Sequence, residues 1–93
     1  MKLQTPTLGA LCVSLTGHDK GRTYVVVKIP DPDFVFVADG KYRSVKNPKK
    51  KRIKHLKQTG QTVSGEFIAL LAEGKAKDNE IRKFILSQAP KIQ

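Results

Sequence analysis

Gly9–Val27, GALCVSLTGHDKGRTYVVV, contains two strand patterns and the turn that joins them. Leu11, Val13 and Leu15 alternate with Ala10, Cys12 and Ser14, the period of two expected of a strand with unlike faces. Thr16–Arg22 follows with two glycines and an aspartate, and Gly17 and Gly21 suit a tight turn because glycine reaches positive φ without a Cβ clash. Thr23–Ile29, TYVVVKI, is rich in β-branched residues and reads as a strong strand. Strand, short polar loop and strand predict an antiparallel hairpin, and that hairpin sets the fold class.

Downstream, Pro30-Asp31-Pro32-Asp33 breaks the second strand, since proline has no N–H to give a ladder. Phe34–Ala38, FVFVA, reads as a third strand with Phe34 and Phe36 in the core. Asp39-Gly40 signals a tight hairpin turn, with Lys41–Val45 as the partner strand. A fifth short strand is expected around Arg52–Leu56, after a turn at Asn47-Pro48. Five short strands predict a small antiparallel barrel, because closure removes the edges that so small a domain would otherwise expose.

The last third changes period. Ser64 is placed to cap a helix over Gly65–Glu73, with Phe67, Leu70 and Leu71 on one face and Gly74 ending it. Asp78 is placed to cap a second helix over Asn79–Ala89, with Ile81, Phe84, Ile85 and Gln88 at helical spacing and Pro90 beyond. Each apolar stripe is too narrow for a helix to fold alone, so the pair is expected to pack on each other and on the barrel.

Charge is the second strong signal. The 93 residues carry 18 basic and 8 acidic side chains, a formal +10. Lys41–Lys57, KYRSVKNPKKKRIKHLK, holds nine of the basic residues and no acid, which leaves only +1 for the rest of the chain. So concentrated a patch is an electrostatic footprint for a polyanion. Two other readings of the window exist: a solvated face that aids solubility, and, through PKKKRIK, a nuclear localisation signal. Like charges without interspersed acids repel one another, which disfavours the first. Phosphate contact is the expected role.

Several function classes lose support. Cys12 is the lone cysteine, so no internal disulfide or multi-cysteine metal site can form, and its small neighbours on the strand predict a packed thiol. His18 and His55 show no ligand spacing, and no catalytic or cofactor-binding constellation stands out. Leu8–Leu15 could pass for a signal-peptide core. It is short, preceded by the single charge Lys2 and followed by no small-residue cleavage site, so export is not expected. No run approaches the ~20 apolar residues of a membrane span. A cytoplasmic location is expected.

The stretch quoted first resembles a KOW motif, through Gly9, the apolar Leu11, Val13 and Leu15, Gly17, Asp19-Lys20-Gly21-Arg22 and the Tyr24–Val27 strand. Phe34–Thr59, FVFVADGKYRSVKNPKKKRIKHLKQT, extends the similarity to small bacterial KOW-domain RNA-binding proteins related to large-subunit ribosomal proteins. The match spans roughly Leu8–Thr59, with a weaker echo over Asp78–Phe84. The resemblance implies an SH3-like barrel, RNA binding and association with ribosomes or their assembly. With the helices read above, the expected organisation is a barrel with the basic segment over residues 1–59 and a helical extension over 60–93, and the expected partner is ribosomal RNA of the large subunit. Within this frame the expected RNA contacts are Lys20 and Arg22 in the loop, with Lys41, Arg43, Lys46, Lys49, Lys50, Lys51, Arg52, Lys54 and Lys57 in the window. Arginine forks onto phosphate, which singles out Arg22. At 6% aromatics the chain is poor in stacking residues, favouring structured RNA held by backbone and shape over single strands read base by base.

Two functional expectations follow. The first is an RNA-binding protein acting in translation or ribosome assembly. The alternative is an SH3-like protein-interaction module that docks on the transcription or translation machinery, with Phe67, Leu71, Ile81 and Phe84 as its apolar contacts.

Overall fold

The computed structural model describes residues 6–88. Lys2, Ala89 and Pro90, which entered the readings of the two termini, lie outside the described residues. Five strands form one antiparallel sheet: β1 (Ala10–Ser14), β2 (Thr23–Lys28), β3 (Phe34–Ala38), β4 (Lys49–Arg52) and β5 (Leu56–Thr62), in the order β4-β3-β2-β1-β5. Two helices follow, α1 (Gly65–Glu73) and α2 (Asp78–Gln88). The Ser64 hydroxyl accepts a hydrogen bond from the Phe67 N–H, and Gly74 closes α1, as the sequence predicts.

The sheet is buried on both faces. On one face lie Ala10, Cys12, Tyr24, Val26, Val35, Val37, Ile53 and Leu56. On the other, Leu11, Val25, Val27 and Ala38 meet Phe67 and Leu71 of α1 and Ile81 of α2. This explains the unbroken valine run of β2: a strand covered on both sides has no polar face to alternate with. It also modifies the reading of β1. Leu11 is buried and Val13 half-buried, but Leu15 is 43% exposed, while the small residues Ala10, Cys12 and Ser14 point into packed space. Phe67, Leu71 and Ile81 each contribute about 1.5–3 kcal/mol by burial, which is what holds two short helices to the sheet.

The closed barrel expected from the strand count is not formed by strand pairing. β4 and β5 occupy the two edges, joined by a single 3-10 turn at Ile53–His55. The turn's backbone is spent elsewhere: the Ile53 N–H donates to the Asp33 carbonyl and the His55 carbonyl accepts from the Leu15 N–H. The expected strand at Arg52–Leu56 is therefore a corner. The true partner of β3 is β4, with Phe34 opposite Arg52 and Phe36 opposite Lys50. β5 pairs with β1 and runs to Thr62, past the expected boundary at residue 59.

Lys41–Val45 is a loop, not a strand. The Asp39 carboxylate accepts hydrogen bonds from the backbone N–H groups of Lys41, Tyr42 and Arg43 at 2.8–2.9 Å, and a segment wrapped on its own aspartate cannot also give those donors to a ladder. Gly40, at φ 77°, sits against the start of α2, where a Cβ would run into the Asp78 carbonyl oxygen and lie 3.1 Å from the Arg82 nitrogen. Gly40→Ala is expected to cost about 2–3 kcal/mol in a urea melt, from left-handed strain of about 1–2 kcal/mol plus displacement of the helix. Gly60→Ala, at φ 89° with open space around the added carbon, pays only the strain and serves as the comparison.

Candidate nucleic-acid interface

The loop between β1 and β2 folds around one carboxylate. Asp19 is 4% exposed, although it lies in a loop between the exposed His18 and Lys20. Its Oδ1 accepts from the Ser14 hydroxyl at 2.8 Å and Lys51 Nζ at 2.9 Å, and its Oδ2 from the Tyr24 hydroxyl at 2.8 Å and Lys49 Nζ at 2.9 Å. Burial pushes the carboxyl group up, but four donors outweigh it and hold the group well below the usual carboxylate range. Tyr24 is pushed up to about 12 by burial and by its bond to the carboxylate. The thiol of Cys12, fully buried as expected, is pushed up to about 11 by desolvation.

This network engages two of the expected RNA contacts. Lys51 is 7% exposed with its ammonium committed to Asp19, so it is a structural cation rather than a surface one. Lys49 pairs with the same carboxylate at 2.9 Å and is only partly exposed. Strand geometry is the reason: side chains alternate across β4, sending Lys49 and Lys51 to the side that also carries Val35 and Val37.

The opposite face of β4 carries Lys50 and Arg52. Lys50 Nζ lies 4.4 Å and the Arg52 guanidinium 5.0 Å from the centroid of Phe34, which is half-buried rather than in the core. Phe36 is half-buried too, packed against the helix-covered core. The 3-10 turn places Lys54 in solvent, and β5 presents Lys57 opposite Val13. Lys20 is exposed at the β1–β2 loop. Arg22, at the end of that loop, lies with its guanidinium 4.1 Å from the centroid of Tyr42, and Lys41 Nζ lies 5.1 Å from the same ring. Loop and window therefore meet at Tyr42. Arg43 is half-buried, its carbonyl accepting from the Asp39 and Gly40 N–H groups, and Lys46 is exposed.

Of the acids near this surface, Asp31 accepts from the Asp33 and Phe34 N–H groups, Asp33 is exposed, and Asp39 and Asp78 are engaged within the protein. Asp39 binds three backbone N–H groups of its own loop, and Asp78 accepts from the Ser44 hydroxyl and the Val45 N–H at 2.7 Å each. Among the described residues the ion pairs are Lys49 and Lys51 with Asp19, and Lys75 with Glu73. Nine of the eleven expected contacts thus form no ion pair with an acid among the described residues. Sequence reading missed Asp19 as an anchor, and Tyr42 and Phe34 as rings beneath cations.

No helix of the described residues is long and apolar enough to cross a membrane, and no cluster of three or more potential metal ligands occurs among them. No family profile matches the chain. It is similar to the large ribosomal subunit protein eL14 of Desulfurococcus amylolyticus, 32% identical over 78 residues, which cover 84% of this chain and 74% of the relative. That relative is archaeal, so the comparison supports the ribosomal part of the resemblance and does not reach its bacterial part. At this identity over most of both chains, the protein belongs to the family of large ribosomal subunit protein eL14.

Proposed function

We propose that this protein binds structured ribosomal RNA of the large subunit, acting in translation or ribosome assembly in the cytoplasm, and that it does so without catalysis. The observation that carries this reading is the disposition of charge: Asp19, Asp39 and Asp78 are engaged with lysines, hydroxyls and backbone N–H groups, while cations without an ion pair line the β1–β2 loop, the 39–48 loop and the outer face of β4. Lys20, Arg22, Lys41, Arg43, Lys46, Lys50, Arg52, Lys54 and Lys57 are the proposed phosphate contacts. Phosphate contacts position a protein on RNA without reading sequence, which suits a surface with few rings and many cations. We read the sheet as the open form of an SH3-like KOW unit, in which the Asp19 ion pairs, rather than strand pairing, tie β4 to the β1–β2 loop.

A protein-docking role finds support in one feature. A groove of about 870 Å³ runs between β2, β3, the 45–48 loop and the end of α1, lined in part by Leu8, Ile29, Phe36, Val45 and Leu71. Of the helix residues expected to contact a partner, Phe67, Leu71 and Ile81 are core and Phe84 is packed against it.

Sucrose-gradient sedimentation of the tagged chain in host lysate decides between the two. On the RNA reading the protein sediments with large subunits at low salt, and high salt or RNase releases it. Association that survives RNase, or a protein confined to the top of the low-salt gradient, would be incompatible with RNA docking.

A further inference from the structure

We infer that Tyr42 and Arg22 form a stacking platform for one unpaired base of the bound RNA, a contact that rests on the RNA-binding reading and adds base recognition to it. Tyr42 is 60% exposed, the most exposed aromatic ring among the described residues. Exposed tyrosines are ordinary, but this one is held in place. Its backbone N–H is bonded to the Asp39 carboxylate at 2.8 Å, and Asp39 is itself 7% exposed. The next turn of the loop is tied to α2 through Asp78, which accepts from Ser44 and Val45. The ring therefore stands on a loop whose backbone is already held, so that backbone need not be ordered on binding.

The surroundings suit a nucleobase attached to phosphates. Arg22 at 4.1 Å and Lys41 at 5.1 Å from the ring centroid both lie over the ring, so the cations that would meet flanking phosphates are part of the platform itself. Unpaired RNA bases stack on aromatic rings and on guanidinium planes alike, so a base can cover either the ring or the arginine stacked on it. Phe34 also lies beneath two cations, Lys50 and Arg52, but it is half-buried where Tyr42 is exposed, so it offers a base less open ring.

The test uses the full chain and two synthetic RNA hairpins, one fully paired and one with a single bulged 2-aminopurine nucleotide. The parent is expected to bind the bulged hairpin about tenfold more tightly than the paired one, within the range measured for stacking one base, and to change the 2-aminopurine fluorescence. Tyr42→Ala removes the preference and the fluorescence change, Tyr42→Phe keeps both, and neither alters affinity for the paired hairpin or its salt dependence. Equal binding of both hairpins by the parent, or a Tyr42→Ala loss shared equally by both, overturns the platform and leaves phosphate docking standing. Failure of the parent to bind either hairpin at low salt overturns the RNA-binding reading, and the platform with it.

Discussion

The Asp19→Asn variant is expected to lose about 3 kcal/mol of folding stability, at the low end of what removing one partner of a buried ion pair costs. At about 4–8 °C per kcal/mol for a domain this small, thermal unfolding should begin well over 10 °C lower. The cost falls on Lys51, whose ammonium is left buried without a counter-charge, whereas Lys49 can turn to water. Ser14 and Tyr24 donate to different oxygens of Asp19, so the asparagine keeps the acceptor of only one of them and the other hydroxyl must turn to accept from the new amide NH2, which adds to the loss. Adding Lys51→Met to Asp19→Asn should recover most of the loss, because a buried pair replaced by apolar packing is often neutral. A single variant that melts within a few degrees of the parent, or a double variant no better than the single, would show that the network is not a principal support of the fold.

The same group predicts a pH profile. Asp19 titrates below its unfolded value, so on acidification the unfolded chain takes up the proton first. Its stabilisation is complete above about pH 5 and drains away as pH falls through the unfolded value near 4 and below. Tyr24 and Cys12 act at the other end. Both titrate above their unfolded values, at about 12 and about 11, so their contributions hold below the unfolded values and are lost as pH rises. Stability should plateau between about pH 5 and pH 8.5 and fall on either side. In Asp19→Asn the acid-side fall should be shallower.

How much of this could be read in advance depends on the range of the interaction. Elements governed by local pattern were legible: the β-branched run of β2, the strand at β3, and the Ser64 cap and Gly74 stop of α1. Asp78, expected to cap a helix from Asn79, is instead the first residue of α2, with its carboxylate on Ser44 and Val45, and in β3 it is Val35 and Val37 rather than Phe34 and Phe36 that are fully buried. The loop at residues 41–45 was not legible, although its cause is adjacent in sequence. Lys41–Val45 has strand-like composition, and only the capture of three successive N–H groups by Asp39 makes it irregular. β4 was invisible as a strand because four consecutive cations carry no β signal. Its conformation is imposed by pairing with β3 and by an ion pair to a residue thirty positions away. The basic window was fully legible as charge. Its division into two lysines paired with Asp19, one of them buried, and a surface outside the ion pairs was not, since that division follows from the strand's alternation and from where Asp19 sits.

That division decides how the RNA surface must be tested. Neutralising Lys49, Lys50, Lys51 and Arg52 together, the natural choice from the sequence, would mix loss of fold with loss of binding, since two of the four hold Asp19. The informative set is Lys41, Lys50, Arg52 and Lys54, each exposed and outside the ion pairs. Replacing all four with glutamine should leave stability within about 1–2 kcal/mol of the parent, the loss coming from contacts over Phe34 and Tyr42. RNA affinity should fall by on the order of a thousandfold at 0.1 M salt, because each duplex phosphate contact adds about 0.9 to the salt slope and so nearly tenfold per decade of salt. The slope itself should drop by about three to four in a binding series from 50 to 500 mM salt. Lys51→Met, paired with Asp19→Asn to keep the fold, should leave that slope unchanged. If the quadruple variant kept the parent's slope, the phosphates would be meeting some other surface of the protein.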